Sequence, residues 1–243
     1  MLMNPRASIR ILLLTRLIGL VPLLVCAAGH AQTRSTAADA AQAGMLDVAT
    51  LAPGFVVDMR YAGRNNFTGR VVPGYQAPRC LLLAPAAEAL ARVQRTLHPR
   101  GYDLRLYDCY RPVRAVRAFV VWARDLNDQT TKSAHYPAVD KRALLGDYIA
   151  ETSGHSRAAT VDLGLMDCRR DPCREVDMGT DFDYFDPLAH TDSSRATPMQ
   201  RRHRRYLLEA MRAQGFVNYP LEWWHFTLEP EPTPGTAYDF PIR

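Results

Sequence analysis

Val161-Asp162-Leu163-Gly164-Leu165 constrains the fold of this chain more than any other run. Apolar residues alternate there with a carboxylate and a glycine. Strand side chains point to opposite faces in turn, so the two leucines and Val161 share one face, and Asp162 and Gly164 share the other. Leu104 and Leu106 alternate with Arg105 and Tyr107 in the same way. Helical patterns accompany these strands. From Pro85 to His98, Ala86, Leu90, Val93 and Leu97 fall on one face, with Pro85 suited to the first turn and Gly101 to the stop. A second helix is expected from Pro112, with Val113, Val116 and Val120 on one stripe. A third begins at Thr197-Pro198-Met199-Gln200, where Thr197 and Gln200 form a capping box; Leu207 and Met211 carry its apolar face and Gly215 ends it.

Residues 54 to 75 read as short strands and loops. A last strand is expected over Trp223 to Leu228, followed by an extended tail marked by Pro230, Pro232, Pro234 and Pro241. No repeat and no linker interrupts the pattern. The predicted class is α+β, a compact single domain with a central antiparallel sheet flanked by helices.

The first 31 residues read differently. Arg6, Arg10 and Arg16 lie near the start with no acidic residue, Leu17 to Ala28 are uncharged and mostly apolar, and Gly29-His30-Ala31 offers a cleavage site. This is the pattern of a secretory signal peptide, and the apolar run is short for a membrane span. The competing reading is a retained anchor; a lipid anchor at Cys26 is disfavoured by the bulky Val25. The expected division is 1–31 signal peptide, 32–44 a flexible segment rich in Ala, Gln, Ser and Thr, and 45–243 the folded domain. The expected location is exported and periplasmic, with no stable span after cleavage. The net charge of +5 shrinks to near neutrality once the three leader arginines are set aside, which argues against a nucleic-acid partner. Cys80, Cys109, Cys168 and Cys173 remain after cleavage. In an oxidising compartment they imply two disulfides with three possible pairings, of which Cys80–Cys109 with Cys168–Cys173 is the expected one.

Two clusters carry the chemistry. His155 heads the strand that holds Asp162, and Asp162 points away from the leucines. Near the C-terminus lies Glu222-Trp223-Trp224-His225-Phe226. Two imidazoles and a carboxylate make a three-ligand zinc site with room for water. Zinc activates that water and polarises a carbonyl, and a separate carboxylate, Glu222, serves as general base. The bland alternative is a surface His, a turn Asp and an exposed Glu. Strict strand alternation also sets 222 and 225 on opposite faces, so the chain must bend near Pro220 or Glu222 must precede the strand. Arg111, between a strand and a helix, can stabilise an oxyanion or simply pair with Asp108. His98, His135 and His203 read as solvated, His190 as a candidate for a pocket rim, and Arg201 to Arg205 as the wet face of a helix.

Taken in order, the motifs resemble those of the D-alanyl-D-alanine dipeptidase family of zinc peptidases. Asp58-Met59-Arg60-Tyr61-Ala62 with Asn65 to Gly69 is similar to the family's N-terminal signature. Asp108 to Pro112 matches D-x-Y-R-P, Ser153 to Asp162 matches S-x-H-x(6)-D, Met178 to Asp183 matches M-G-[ST]-x-F-D, and Glu222 to Phe226 matches E-W-W-H-[YF]. The resemblance implies one Zn²⁺ per chain on His155, Asp162 and His225, with Glu222 as general base and Arg111 stabilising the transition state. It further implies Tyr61 and Asp183 at the substrate ammonium and Ser153 at its carboxylate. The implied substrate is a small D,D-dipeptide, and the implied fold is that of D,D-carboxypeptidases and the Hedgehog signalling domain. A D,D-carboxypeptidase acting on longer muropeptides and a non-catalytic zinc-bearing module are the alternatives. One departure is Ala158, where the family usually has Gly.

Overall fold

The two alternating runs become the middle of a sheet because each is apolar on one face and small or shielded on the other. The computed structural model describes Met1 and residues 32–243; the leader and its cleavage site lie outside the described residues. In chain order the elements are β1 (Thr33–Arg34), α1 (Ala40–Ala43), β2 (Met45–Asp47), β3 (Val56–Val57), β4 (Leu81–Leu83), α2 (Ala84–Leu97) and β5 (Tyr102–Asp108). After β5 come α3 (Val113–Arg124), α4 (Lys132–His135), β6 (Thr160–Asp167), β7 (Arg174–Glu175), α5 (Pro198–Arg212), β8 (Phe216–Asn218), β9 (His225–Leu228) and β10 (Thr236–Ala237). The main sheet runs β3-β5-β6-β9-β8, with β7 on the end of β6. Its centre is antiparallel as expected, but β3 joins β5 in parallel. That departure follows from the long crossover through β4 and α2 that separates the two strands.

Leu104, Leu106, Val161, Leu163 and Leu165 are fully buried on one face, where α2 covers β5 with Leu90, Val93 and Leu97. The opposite face is covered too. Tyr107 lies across Gly164, so close that a Cβ at 164 would stand 2.5 Å from the tyrosine Oη. Its ring stacks on Phe182 at 4.9 Å. Gly164 is thus the gap that admits Tyr107, and Asp162, two residues earlier on the same face, opens into the site.

Segment 32–44, expected to be flexible, carries structure. β1 pairs with β10, and Asp39 caps α1, which ends at Gly44 in the left-handed region. The C-terminal strand supplies the partner, which composition alone does not reveal. α5 begins at the capping box as expected, with both reciprocal hydrogen bonds formed. Arg204 departs from the expected wet face. It is 1% exposed and donates to the carbonyls of Met178 (2.7 Å) and His190 (2.6 Å). Both expected disulfides are present. Among the described residues no helix is long and apolar enough to cross a membrane.

Candidate active site

His155 sits in a single 3-10 turn, Gly154–Arg157, capped by Ser153, whose hydroxyl accepts from the His155 N–H (3.2 Å). The turn closes through Ala158 at φ 56°, the left-handed conformation that favours glycine. The departure at this position therefore carries backbone strain of about 1–2 kcal/mol. Asp162 on β6 stands directly opposite His225 on β9 in the antiparallel register, which brings two donors side by side across the sheet. His155 Nδ1–H donates to the Cys109 carbonyl (2.8 Å), leaving Nε2 bare. That Nε2 lies 3.2 Å from Asp162 Oδ2 and 3.3 Å from His225 Nδ1, and His225 Nδ1 lies 3.0 Å from Asp162 Oδ1.

The donors of His155, Asp162 and His225 all fall within 4.8 Å of one another. Asp162 Oδ1 is buried yet accepts no hydrogen bond, because His225 approaches it outside hydrogen-bond geometry. An orphaned carboxylate oxygen 3.0 Å from His225 Nδ1, with His155 Nε2 3.2 Å from the other oxygen, is what a bound cation would resolve, and two N donors with one O donor suit Zn²⁺ with one position open. Burial alone would raise the Asp162 carboxyl, but His155 and His225 outweigh it and hold it below the usual carboxylate range. His225 is pushed up because the attraction of Asp162 exceeds the effect of burial.

The strand expected from Trp223 is β9, which begins two residues later, at His225, and is followed by the short β10. Residues 219–225 turn instead: Glu222 N–H donates to the Tyr219 carbonyl (3.0 Å) and His225 N–H to the Glu222 carbonyl (3.3 Å). Asn218 clamps the turn by donating to the carbonyls of Glu222 and His225, both at 2.9 Å. This resolves the alternation conflict, since three residues in a turn bring both side chains to one side. Glu222 Oε2 lies 3.4 Å from His225 Nδ1. Burial pushes the Glu222 carboxyl up to about 7; His225 and Arg111 oppose the shift and Asp162 adds to it. A carboxyl held near neutrality can both take and return a proton.

Arg111 pairs with Asp108, as the sequence offered, and reaches into the cleft as well. Its Nε donates to Asp108 Oδ2 (2.8 Å), while Nη1 and Nη2 reach 3.5 Å to Ser153 Oγ and Asp162 Oδ2. Asp108, fully buried, also accepts from the Tyr75 hydroxyl (2.6 Å). The ion pair aims the guanidinium into the cleft. The guanidinium lies over the Tyr61 ring, 5.2 Å from its centre, and the Tyr61 hydroxyl donates to Asp183 Oδ2 (2.8 Å). Asp183 is buried at φ 58°, and its carboxyl is raised by burial and by Asp162, against the Tyr61 hydrogen bond.

All eight residues singled out in the sequence line one cleft of about 310 Å³: Tyr61, Arg111, Ser153, His155, Asp162, Asp183, Glu222 and His225. Residues 146–150 and the rings of Phe67, Phe119, Phe185 and Tyr219 also line it. His190 is not among the lining residues. His135 is buried rather than solvated, and its Nδ1–H donates to the Asp183 carbonyl (3.0 Å). Asp108 supports the site through the pairing with Arg111 that the sequence offered, and His135 is the supporting residue that the sequence reading missed. The D-x-Y-R-P motif was a signal for the first; nothing local marked the second.

Two imidazoles and a carboxylate open on one side, with a protonatable glutamate and a guanidinium beside them, define a metallohydrolase on an α+β domain. Sequence relatives narrow that class. The family model described as D-ala-D-ala dipeptidase matches residues 41–243, and the chain belongs to that family. It is 40% identical to a D-alanyl-D-alanine dipeptidase of Streptomyces coelicolor, covering 79% of this chain and 95% of the relative. Dipeptidases of the same description from Enterococcus faecium and Escherichia coli are 37% and 32% identical, covering 76% of this chain and 92% and 84% of theirs. A solved vancomycin-resistance D,D-pentapeptidase in complex with Zn(II) overlays with a TM-score of 0.38 at 13% identity, over 63% of this chain and 76% of that one, too distant to fix the fold.

Proposed function

We propose that this chain hydrolyses D-Ala-D-Ala to two D-alanines, using one Zn²⁺ held by His155, Asp162 and His225. The convergence of the three donors on one side of a small cleft, with Glu222 3.4 Å from a ligand nitrogen, carries the reading. Bound there, Zn²⁺ supplies Lewis-acid polarisation of the scissile carbonyl and of the attacking water. Glu222 takes the proton from that water and returns it to the departing amine. Arg111, fixed by Asp108, faces the oxygen on which negative charge develops. Tyr61 and Asp183 hold the substrate ammonium and Ser153 its carboxylate, so groups at both ends select a dipeptide. The aromatic walls keep bulk water from the reacting bond.

The test is release of free D-alanine from D-Ala-D-Ala by purified protein, with and without chelator, beside a pentapeptide stem. No release with zinc restored would sink the proposal, and preference for the pentapeptide would replace it with a carboxypeptidase. Glu222→Ala is expected to retain zinc and lose turnover. Export to the periplasm is part of the same proposal, supported by the leader pattern and by two disulfides. It places the enzyme away from cytoplasmic precursors and favours scavenging or wall turnover. N-terminal sequencing of the secreted chain should begin at Gln32; recovery of intact Met1 in the cytoplasm would remove that part.

A further inference from the structure

We infer that the Cys80–Cys109 disulfide is a positioning element for the metal ligand His155, so that zinc affinity and the redox state of this cysteine pair are linked. The inference rests on the proposed zinc site. Cys80 and Cys109 are 0% and 1% exposed and join the start of β4 to the end of β5. The Cys109 carbonyl is the acceptor for His155 Nδ1–H, the hydrogen bond that leaves Nε2 free and fixes where the ring points. Partners of this kind set the tautomer and orientation of a metal-bound imidazole. The Cys109 carbonyl is itself placed by its neighbours. Tyr110 N–H donates to the Leu81 carbonyl (2.9 Å), next to the covalent bridge, and Val48 N–H donates to the Cys80 carbonyl (2.9 Å).

The same frame holds the rest of the His155 turn. Arg111 N–H donates to the His155 carbonyl (3.2 Å), and Ser156 Oγ donates to the Arg111 carbonyl (2.9 Å). Leu83 N–H donates to the Ala158 carbonyl (2.9 Å), so β4 grips the turn at its far end as well. The His155 turn thus hangs between β4 and residues 109–111, and the disulfide is the covalent tie between those two supports. Without it the tie reduces to backbone hydrogen bonds, and the Cys109 carbonyl gains freedom along the line that aims His155. The turn already carries the strained Ala158, which makes it dependent on that external support. Cys168–Cys173 is an internal control. It closes a five-residue step in a surface loop beside Asp103 and touches none of the cleft residues.

Reduction of the bridge by a dithiol breaks one Sγ–Sγ bond. Two electrons and two protons pass from the dithiol to Cys80 and Cys109, giving two thiols, and the dithiol closes to its own disulfide. If the bridge tightens zinc binding by some factor, zinc must disfavour reduction of the bridge by the same factor. Loss of an outer partner of a metal-bound histidine weakens binding about 10- to 100-fold.

Two measurements test this. In the first, zinc dissociation constants are measured by chelator competition for the parent, for Cys80→Ala/Cys109→Ala and for Cys168→Ala/Cys173→Ala. About tenfold weaker binding is expected in the first variant alone. In the second, the parent is equilibrated with a dithiol buffer with and without zinc, and free thiols are counted by alkylation and mass spectrometry. Zinc should shift the reduction equilibrium of Cys80–Cys109 by about the same tenfold and leave Cys168–Cys173 where it was. This arm needs no variant to fold. Equal zinc affinity in parent and variant, equal weakening in both variants, or no zinc-dependent shift each overturn the inference. A parent that binds no zinc at all overturns the ligand assignment itself, and the inference with it.

Discussion

Gly164→Ala isolates the contact that joins the sheet to the Asp183 side of the cleft. At an open strand position this change should stabilise the fold by about 0.4–1 kcal/mol, because alanine restricts the unfolded chain. Here the new Cβ would lie 2.5 Å from Tyr107 Oη, 3.1 Å from Cζ and 3.2 Å from Cε2. Tyr107 has little room to retreat. It is 1% exposed, its hydroxyl donates to Glu175, its ring stacks on Phe182, and the Arg60 guanidinium sits 5.0 Å from the ring centre. Overpacking of a filled core costs about 1–3 kcal/mol. Displacing a hydroxyl from a carboxylate adds about 1.5 kcal/mol. Set against the gain from chain stiffening, the net loss is about 1.5–4 kcal/mol, or about 3–16 °C in Tm for a chain of this size. The assay is reversible chemical or thermal unfolding of the metal-free protein. Phe182 adjoins Asp183, so KM should rise in the same variant. Tyr107→Phe in the Gly164→Ala background removes the nearest atom and should recover about half the loss, a coupling that additive effects would not produce. A Gly164→Ala protein as stable as its parent, or strictly additive variants, would refute this account of the contact.

Three further outcomes are expected. Ala158→Gly trades relief of about 1–2 kcal/mol of left-handed strain against about 0.8 kcal/mol for a buried methyl and about 0.4–1 kcal/mol of unfolded-state freedom. Its stability should therefore stay within about 1 kcal/mol of the parent, whereas Ala158→Val, branched and fully buried there, should lose more than about 2 kcal/mol by urea denaturation. Burial holds the His135 imidazole below its usual range, opposed by the Asp183 carbonyl. Below about pH 6.5 the unfolded chain takes a proton that the fold resists. Stability should fall as pH drops from there, with a contribution of at most about 1.4 kcal/mol per pH unit. His135→Gln should flatten that slope; an unchanged slope between pH 6.5 and 5 would exclude His135 as its source. Arg111→Lys should retain zinc yet lower kcat about 10²- to 10³-fold, because an ammonium cannot hold Asp108 and face the cleft together; unchanged kcat places the oxyanion elsewhere.

What was legible in the sequence was what local chemistry decides. The Thr197–Gln200 box, the Gly101 and Gly215 stops and the leucine alternation each act within a few residues, and each appears where expected. Asp162 was legible for the same reason, since a carboxylate opposite three buried aliphatic side chains on one strand must find water or a partner. The residues misread share a different cause. Arg204 looked like the wet face of a basic helix and His135 like a solvated ring. Both are placed by backbone groups of distant loops: the carbonyls of Met178 and His190, and the carbonyl of Asp183. Every residue offers a backbone carbonyl, so nothing in the composition marks which one will be left unpaired by the fold and recruit a side chain. Cys109 belongs to this group. Its thiol was legible as half of a disulfide, yet the atom that bears on the metal site is its carbonyl oxygen.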